Sequence, residues 1–244
     1  MKKCIFVVGL VLQSLMADSQ VLISLIFGDK LNSGNIEFGL DGGYSFSNLK
    51  GAVGSNSKGA FNLGFYFDIK TKHPNWMVST GVVVKGPMGA KGQPVYLLHD
   101  PALDSAFKGG SVTTKLNYFY VPVNLKYTFK NRIFLKGGIQ MGLINSASDL
   151  FLNNVKDEDD LTYKLSRKKD FAALDFGLAA GVGYRISKGM GMNININYYY
   201  GLIDVEVDDD KPNVMNQAWY FNVGIPIGKG KAMKKAEAKK AAKS

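Results

Sequence analysis

The chain has 244 residues, 46% of them hydrophobic and 12% aromatic, with a formal net charge of +10. Seven Lys and one Glu in Lys229–Ser244 account for +6 of that charge, and Lys2, Lys3 and Asp18 for +1, so the body carries only +3. A near-neutral body lacks the basic stripe that grips nucleic acid. The single cysteine, Cys4, excludes a disulfide framework or a thiolate metal site.

The N-terminus reads as an export signal. Lys2 and Lys3 precede a 13-residue apolar stretch, Cys4–Met16, which is short for a bilayer span. Ala17-Asp18-Ser19 offers a small-residue cleavage pattern, so residues 1–19 are expected to be a signal peptide cut before Gln20. A retained anchor is the alternative, because Val21–Phe27 supplies a second apolar run. Residues 20–35 form a lead segment of undefined character.

From residue 36 onward the pattern changes to alternation. Glycine makes up 28 of 244 residues, about 11% against a usual ~7%, and Tyr and Phe are abundant. Both features favour strands over helices. Eight strands are predicted: 36–47, 59–71, 76–85, 115–129, 133–145, 171–187, 191–202 and 217–227. Each is long enough to cross a bilayer when tilted. The clearest is Met192–Tyr200, with Met192, Ile194, Ile196, Tyr198 and Tyr200 on one face and Asn193, Asn195, Asn197 and Tyr199 on the other.

The connections alternate strictly. Three are tight, at residues 72–75, 130–132 and 188–190. Four are long, at 49–58, 86–114, 146–170 and 203–216. This rhythm predicts an all-β fold, an eight-stranded antiparallel up-and-down transmembrane β-barrel over residues 36–227. The long loops are then external and both termini periplasmic. A soluble barrel or sandwich has little reason to gather every long loop at one end. The Lys-rich tail, residues 228–244, reads as a disordered periplasmic extension.

Parity assigns the two walls. Phe61, Leu63, Phe65, Phe67 and Ile69 share one face of the second strand. Phe119, Val121, Val123, Leu125, Tyr127 and Phe129 share one face of the fourth, and Trp219, Phe221, Val223, Ile225 and Ile227 one face of the eighth. Trp76, Tyr118, Tyr120, Tyr198, Tyr200 and Trp219 are assigned to aromatic girdles at the membrane–water interfaces. The other wall holds Glu37, Asp41, Asp68, Lys70, Lys126, Lys136, Asp175 and Arg185, expected to pair as a charge network across the lumen. Eight strands leave an interior just wide enough for side chains, so the lumen is expected to be mostly plugged. Pro122 lacks a ladder donor and predicts a bulge.

Few residues suggest chemistry. His73-Pro74 sits in a tight turn. His99-Asp100 lies in the second long loop, and catalysis there would need an acid and a nucleophile such as Ser105 held beside it. Asp157–Asp160 and Asp204–Asp210 are carboxylate-rich but lack calcium-loop spacing, and read as solvated loops. No catalytic residue, metal site or cofactor site is therefore assigned, and the chain is expected not to be an enzyme. The expected partners are the lipid bilayer and lipopolysaccharide, an external ligand at the loops, and secretion or envelope components. A narrow porin-like channel, or a barrel subunit of a protein-secretion assembly, is the competing reading.

Several strands also resemble a known family. Leu116–Tyr127 is similar to its Y-x-x-[IV]-P-x-x-x-K-Y strand. Phe134–Gly138 and Asp175–Tyr184 match the strands that follow, and Tyr199–Leu202 the end of the seventh. The family is the PorT-like outer-membrane β-barrel group common in Bacteroidota. The resemblance spans residues 36–227 and implies an eight-stranded outer-membrane barrel. It is nearly silent on activity. The Lys-rich extension departs from barrels that end on an aromatic residue.

Overall fold

A computed structural model describes residues 35–155, 159–186, 191–207 and 212–227. Nine strands form: β1 (Ile36–Lys50), β2 (Asn56–Lys70), β3 (Trp76–Pro94), β4 (Ser111–Thr128), β5 (Ile133–Val155), β6 (Asp159–Ser166), β7 (Leu174–Arg185), β8 (Asn193–Gly201) and β9 (Met215–Pro226). Every pairing is antiparallel. Sequential neighbours pair from β1 to β5, β5 then pairs with β7, and β9 returns to β1 through Gly39↔Pro226 to Lys50↔Met215. Eight strands thus close a ring with no free edge, the condition for a sheet inside a bilayer. β6 stands outside the ring as a hairpin partner for the far end of β5.

The eight expected strands are the eight wall strands. Their alternation fixes which side faces out, because a one-residue slip would move every apolar side chain inward. Phe61, Leu63, Val121, Val123, Leu125, Leu135, Ile194, Ile196, Phe221 and Val223 are exposed. Asn62, Asn124, Asn193 and Asn195, on the opposite parity, are buried. An apolar band of this extent is untenable in water and is what a lipid-facing wall requires. Among the described residues no helix is long and apolar enough to cross a membrane, so strands do the crossing.

β1 to β5 and β9 outrun their predicted ends on the loop side, whereas β7 starts at Leu174 and not at Phe171, and β8 ends at Gly201. β5 runs for 23 residues, roughly 75 Å of extended chain, against about 10 residues needed to span. Much of the expected loops 86–114 and 146–170 is therefore paired strand. Val112↔Phe151 and Thr114↔Asp149 continue the β4–β5 ladder beyond the band. Phe107, Val112 and Phe151 form a second small core there, with Leu98, Leu103, Tyr163 and Leu165 packed against it. A helix, α1 (Pro101–Ala106), covers part of it. Asp100 caps α1 by accepting from the Ala102 and Leu103 amides, and Pro101 occupies the first turn.

Pro122 does not carry a bulge. Thr80↔Val123 and Val83↔Tyr120 keep one register across it, and Pro122↔Gln140 sits in the β5 ladder. The Thr80 hydroxyl donates to the Pro122 carbonyl at 2.9 Å, adding a tie beside the missing amide donor. The register slips lie nearer the loop end, between Val83 and Gly86 on β3 and between Asn117 and Tyr118 on β4.

Candidate functional site

The lumen is stacked in four layers from the turn end to the loop end. The first is ionic. Arg185 donates to both Glu37 oxygens at 2.8 and 2.7 Å, and Lys126 Nζ to Asp68 Oδ2 at 2.6 Å. Arg185 also lies 3.6 Å from Asp68, and Tyr66 donates to Glu37 at 3.2 Å. Four of the expected network residues therefore meet. Lys126 is held over the Phe134 ring, 4.1 Å from its centre, which covers the ammonium. Lys70 is exposed at the rim.

The second layer is built of amides. Asp41 accepts from Asn195 at 3.3 Å and Asn222 at 2.7 Å, so its partners are neutral donors. Asn197 donates to Asn195 and Asn195 to Asn193, a ladder along the inner face of β8. Lys136, Gln140, Asn62 and Asn124 face the same space, a cavity of about 80 Å³. The asparagines were legible as a polar face but carried no assigned role.

The third layer is tyrosine. Tyr118, Tyr120 and Tyr199 are all but fully buried, and Tyr220 nearly so. Tyr120 donates to Asp175 Oδ2 at 2.8 Å, and Asn216 donates to the same oxygen at 2.8 Å. The expected girdle position of Tyr118 and Tyr120 is thus corrected: both line the lumen. Phe119 and Val121 alternate with them on the outside, and the pleat allows no other arrangement. Asp175 is likewise held by neutral donors and stands apart from the ionic layer. The other residues expected at the girdles face outward in two groups. Trp76 packs on Tyr127 near the tight turns, and Tyr198 packs on Trp219 toward the loops. Tyr200 receives the Lys50 ammonium on its hydroxyl at 2.8 Å.

The fourth layer is an apolar plug. Leu49, Met88 and Leu116 from the wall meet Phe171, Val205 and Val214 from the connections, all buried in one cluster. The connections are tied inward: Val205 N–H donates to the Val214 carbonyl at 2.8 Å and Ala172 N–H to the Val205 carbonyl at 2.9 Å. Asp204 accepts from the Glu206 and Val214 amides at 3.0 Å each, so this acidic residue works as a loop clamp. The sequence places Phe171 at the start of the strand expected over 171–187 and leaves Val205 and Val214 in polar loops, and nothing in it marks the three as one plug.

Beyond the plug lies a mouth. Asp149, 1% exposed, accepts from Tyr96 at 2.8 Å, Thr114 at 2.7 Å and Arg167 at 2.9 Å. Arg167 also donates to Asp170 at 2.8 Å and lies over the Tyr96 and Phe171 rings. Burial, with the Asp149 charge second, pushes the Tyr96 hydroxyl above its usual range, so it remains a donor. A cavity of about 490 Å³ opens here between Val53, Gln93, Tyr96, Leu165, Arg167 and Glu206. His99 is exposed, and Asp100 is committed to capping α1, so the pair does not assemble as base and acid. His73 lies in the β2–β3 turn as expected. The clusters at residues 157–160 and 208–210 lie outside the residues whose side chains are described, as do the expected signal peptide and the tail.

A closed ring of alternating strands, greasy outside and polar within, defines an integral β-barrel of the outer membrane. The chain belongs to the outer membrane protein beta-barrel domain family, whose model matches residues 19–206. The chain is also similar to solved structures. Ail, the attachment invasion locus protein of Yersinia pestis, solved with the heparin analogue sucrose octasulfate, is 15% identical, with 79% of this chain and 99% of that one covered and a TM-score of 0.40. Neisserial surface protein A is 12% identical, covering 78% and 96%, at 0.41. OprG from Pseudomonas aeruginosa is 14% identical, covering 80% and 97%, at 0.38. No curated protein matches significantly.

Proposed function

We propose that this outer-membrane barrel is closed at rest and works through its external end, by binding or adhesion at the mouth. The plug of Phe171, Val205 and Val214 carries this reading, since an apolar constriction expels water and blocks ions. Below it, the tyrosine layer and the ion pairs narrow the lumen on either side of the amide-lined cavity. The projecting β3–β6 hairpins and the pre-ordered Asp149–Arg167 centre then present a rigid surface to a ligand. The strand motifs favour a PorT-like barrel of the Bacteroidota, and membrane girdles at Trp76 and Trp219 suit anchoring in lipid and lipopolysaccharide. Planar-bilayer recording tests the reading. The wild-type chain should give no stable conductance steps, and regular steps would overturn it.

A further inference from the structure

The amide layer holds unused hydrogen-bonding capacity that the closed-barrel reading does not explain. Asn62 Nδ2, Asp68 Oδ1, Asn124 Oδ1, Asn197 Oδ1 and Asn222 Oδ1 are buried without a partner among the described residues. All five side chains line the same cavity of about 80 Å³. Asn62 and Asp68 are 1% and 2% exposed, and Asn124 and Asn222 are 7% and 8%. A buried polar atom left unpaired costs about 1–3 kcal/mol, so clustering five around one cavity points to a guest that satisfies them together. A cavity of this size admits several waters, each needing only some 10–15 Å³.

The charges around the cavity choose the kind of guest. Asp68 is neutralised by Lys126, and Asp41 is held by two amides. A bare cation would meet Lys136 and Lys126, and a bare anion would meet Asp41 and Asp68. What remains are amide donors and acceptors, which suit a neutral molecule able to give and take hydrogen bonds.

The cavity lies between the ion pairs on the turn side and the tyrosine layer and plug on the loop side. Three plug residues, Phe171, Val205 and Val214, belong to connections and not to the wall. We propose that the chamber is a binding site for water and small neutral polar solutes of urea or glycerol size, and that the loop-borne plug is its outer gate. With the plug displaced, the barrel becomes a passage for such solutes while still rejecting large sugars.

The test is osmotic swelling of proteoliposomes containing the full chain, with urea, glycerol and raffinose as probes. Wild type should swell no faster than empty vesicles. F171A/V205A/V214A should raise urea and glycerol entry about tenfold, with raffinose still excluded. Adding N124L, which fills the chamber, should cancel the gain. If the triple variant lacks the folded gel form, F171A and V205A singly should give smaller gains in the same order of solutes. Folded plug variants as tight as wild type would overturn the gate, and a gain that N124L leaves intact would overturn the chamber. Neither result bears on wild-type ionic conductance, which tests the closed-barrel reading separately.

Discussion

Glu37 and Arg185 stand 148 positions apart, yet they meet in a two-pronged pair across the turn end of the barrel. The pair joins β1 to β7, strands that are not neighbours in the ring. Its geometry is the fork-to-carboxylate arrangement that only arginine offers. Beside it, Lys126–Asp68 is buried still more deeply, at 5% and 2% side-chain exposure.

That burial sets the first prediction. Lys126→Ala leaves Asp68 charged and enclosed and should cost about 3 kcal/mol, more than the same truncation of a surface pair. K126M/D68L removes both charges and should return to within about 1 kcal/mol of wild type. Urea midpoints read from the folded and unfolded gel bands give both values.

The tyrosine layer is packed against β5. A Cβ at Gly142 would overlap the Tyr120 ring, whereas one at Gly137 would approach only the Ala179 carbonyl, at 3.8 Å. Gly142→Ala should therefore destabilise the barrel by about 1–3 kcal/mol, because the ring has no room to retreat. Gly137→Ala should change it by no more than about 0.5 kcal/mol. The same unfolding assay compares them.

Lipid contact separates the walls. Ile196→Lys, on the exposed face of β8, should cost roughly 2–4 kcal/mol in a bilayer. Leu97→Lys, in the external connection, should be nearly neutral. A lipid-phase photoprobe should label Phe65, Val123 and Ile196 and spare Asn195.

The mouth is held separately from the barrel. Arg167→Ala strips a nearly buried carboxylate, Asp149, of its cation while leaving Tyr96 and Thr114 as donors. The expected outcome is faster trypsin cleavage of the external segments with an unchanged barrel core fragment. An intact digestion pattern would show that Arg167 does not order the loops.

How much of this was legible depended on periodicity. A wall strand has one face in lipid and one in the lumen, so its alternation is strong and the eight strands stand out in the sequence. Outside the membrane that contrast fades, and the extra lengths of β3, β4 and β5 and all of β6 read as loop. Residue type alone puts Tyr118 and Tyr120 at the girdles, against their own parity, since Phe119 and Val121 already claim the outer face. The charged residues were legible as inward-facing, but not their partners: Asp175 looks like its fellow acids until Tyr120 and Asn216 arrive from other strands. Phe171 reads as the first residue of a wall strand but precedes it and turns into the plug, while Val205 and Val214 give no signal, because an apolar residue in a polar loop gains meaning only from the cavity it fills.

Gel mobility of the washed outer-membrane fraction, with and without boiling, distinguishes a membrane barrel of the outer envelope from a soluble one. The protein should be found in that fraction, with an SDS-resistant folded band that shifts on heating. Release by osmotic shock, with one mobility regardless of heat, would contradict it.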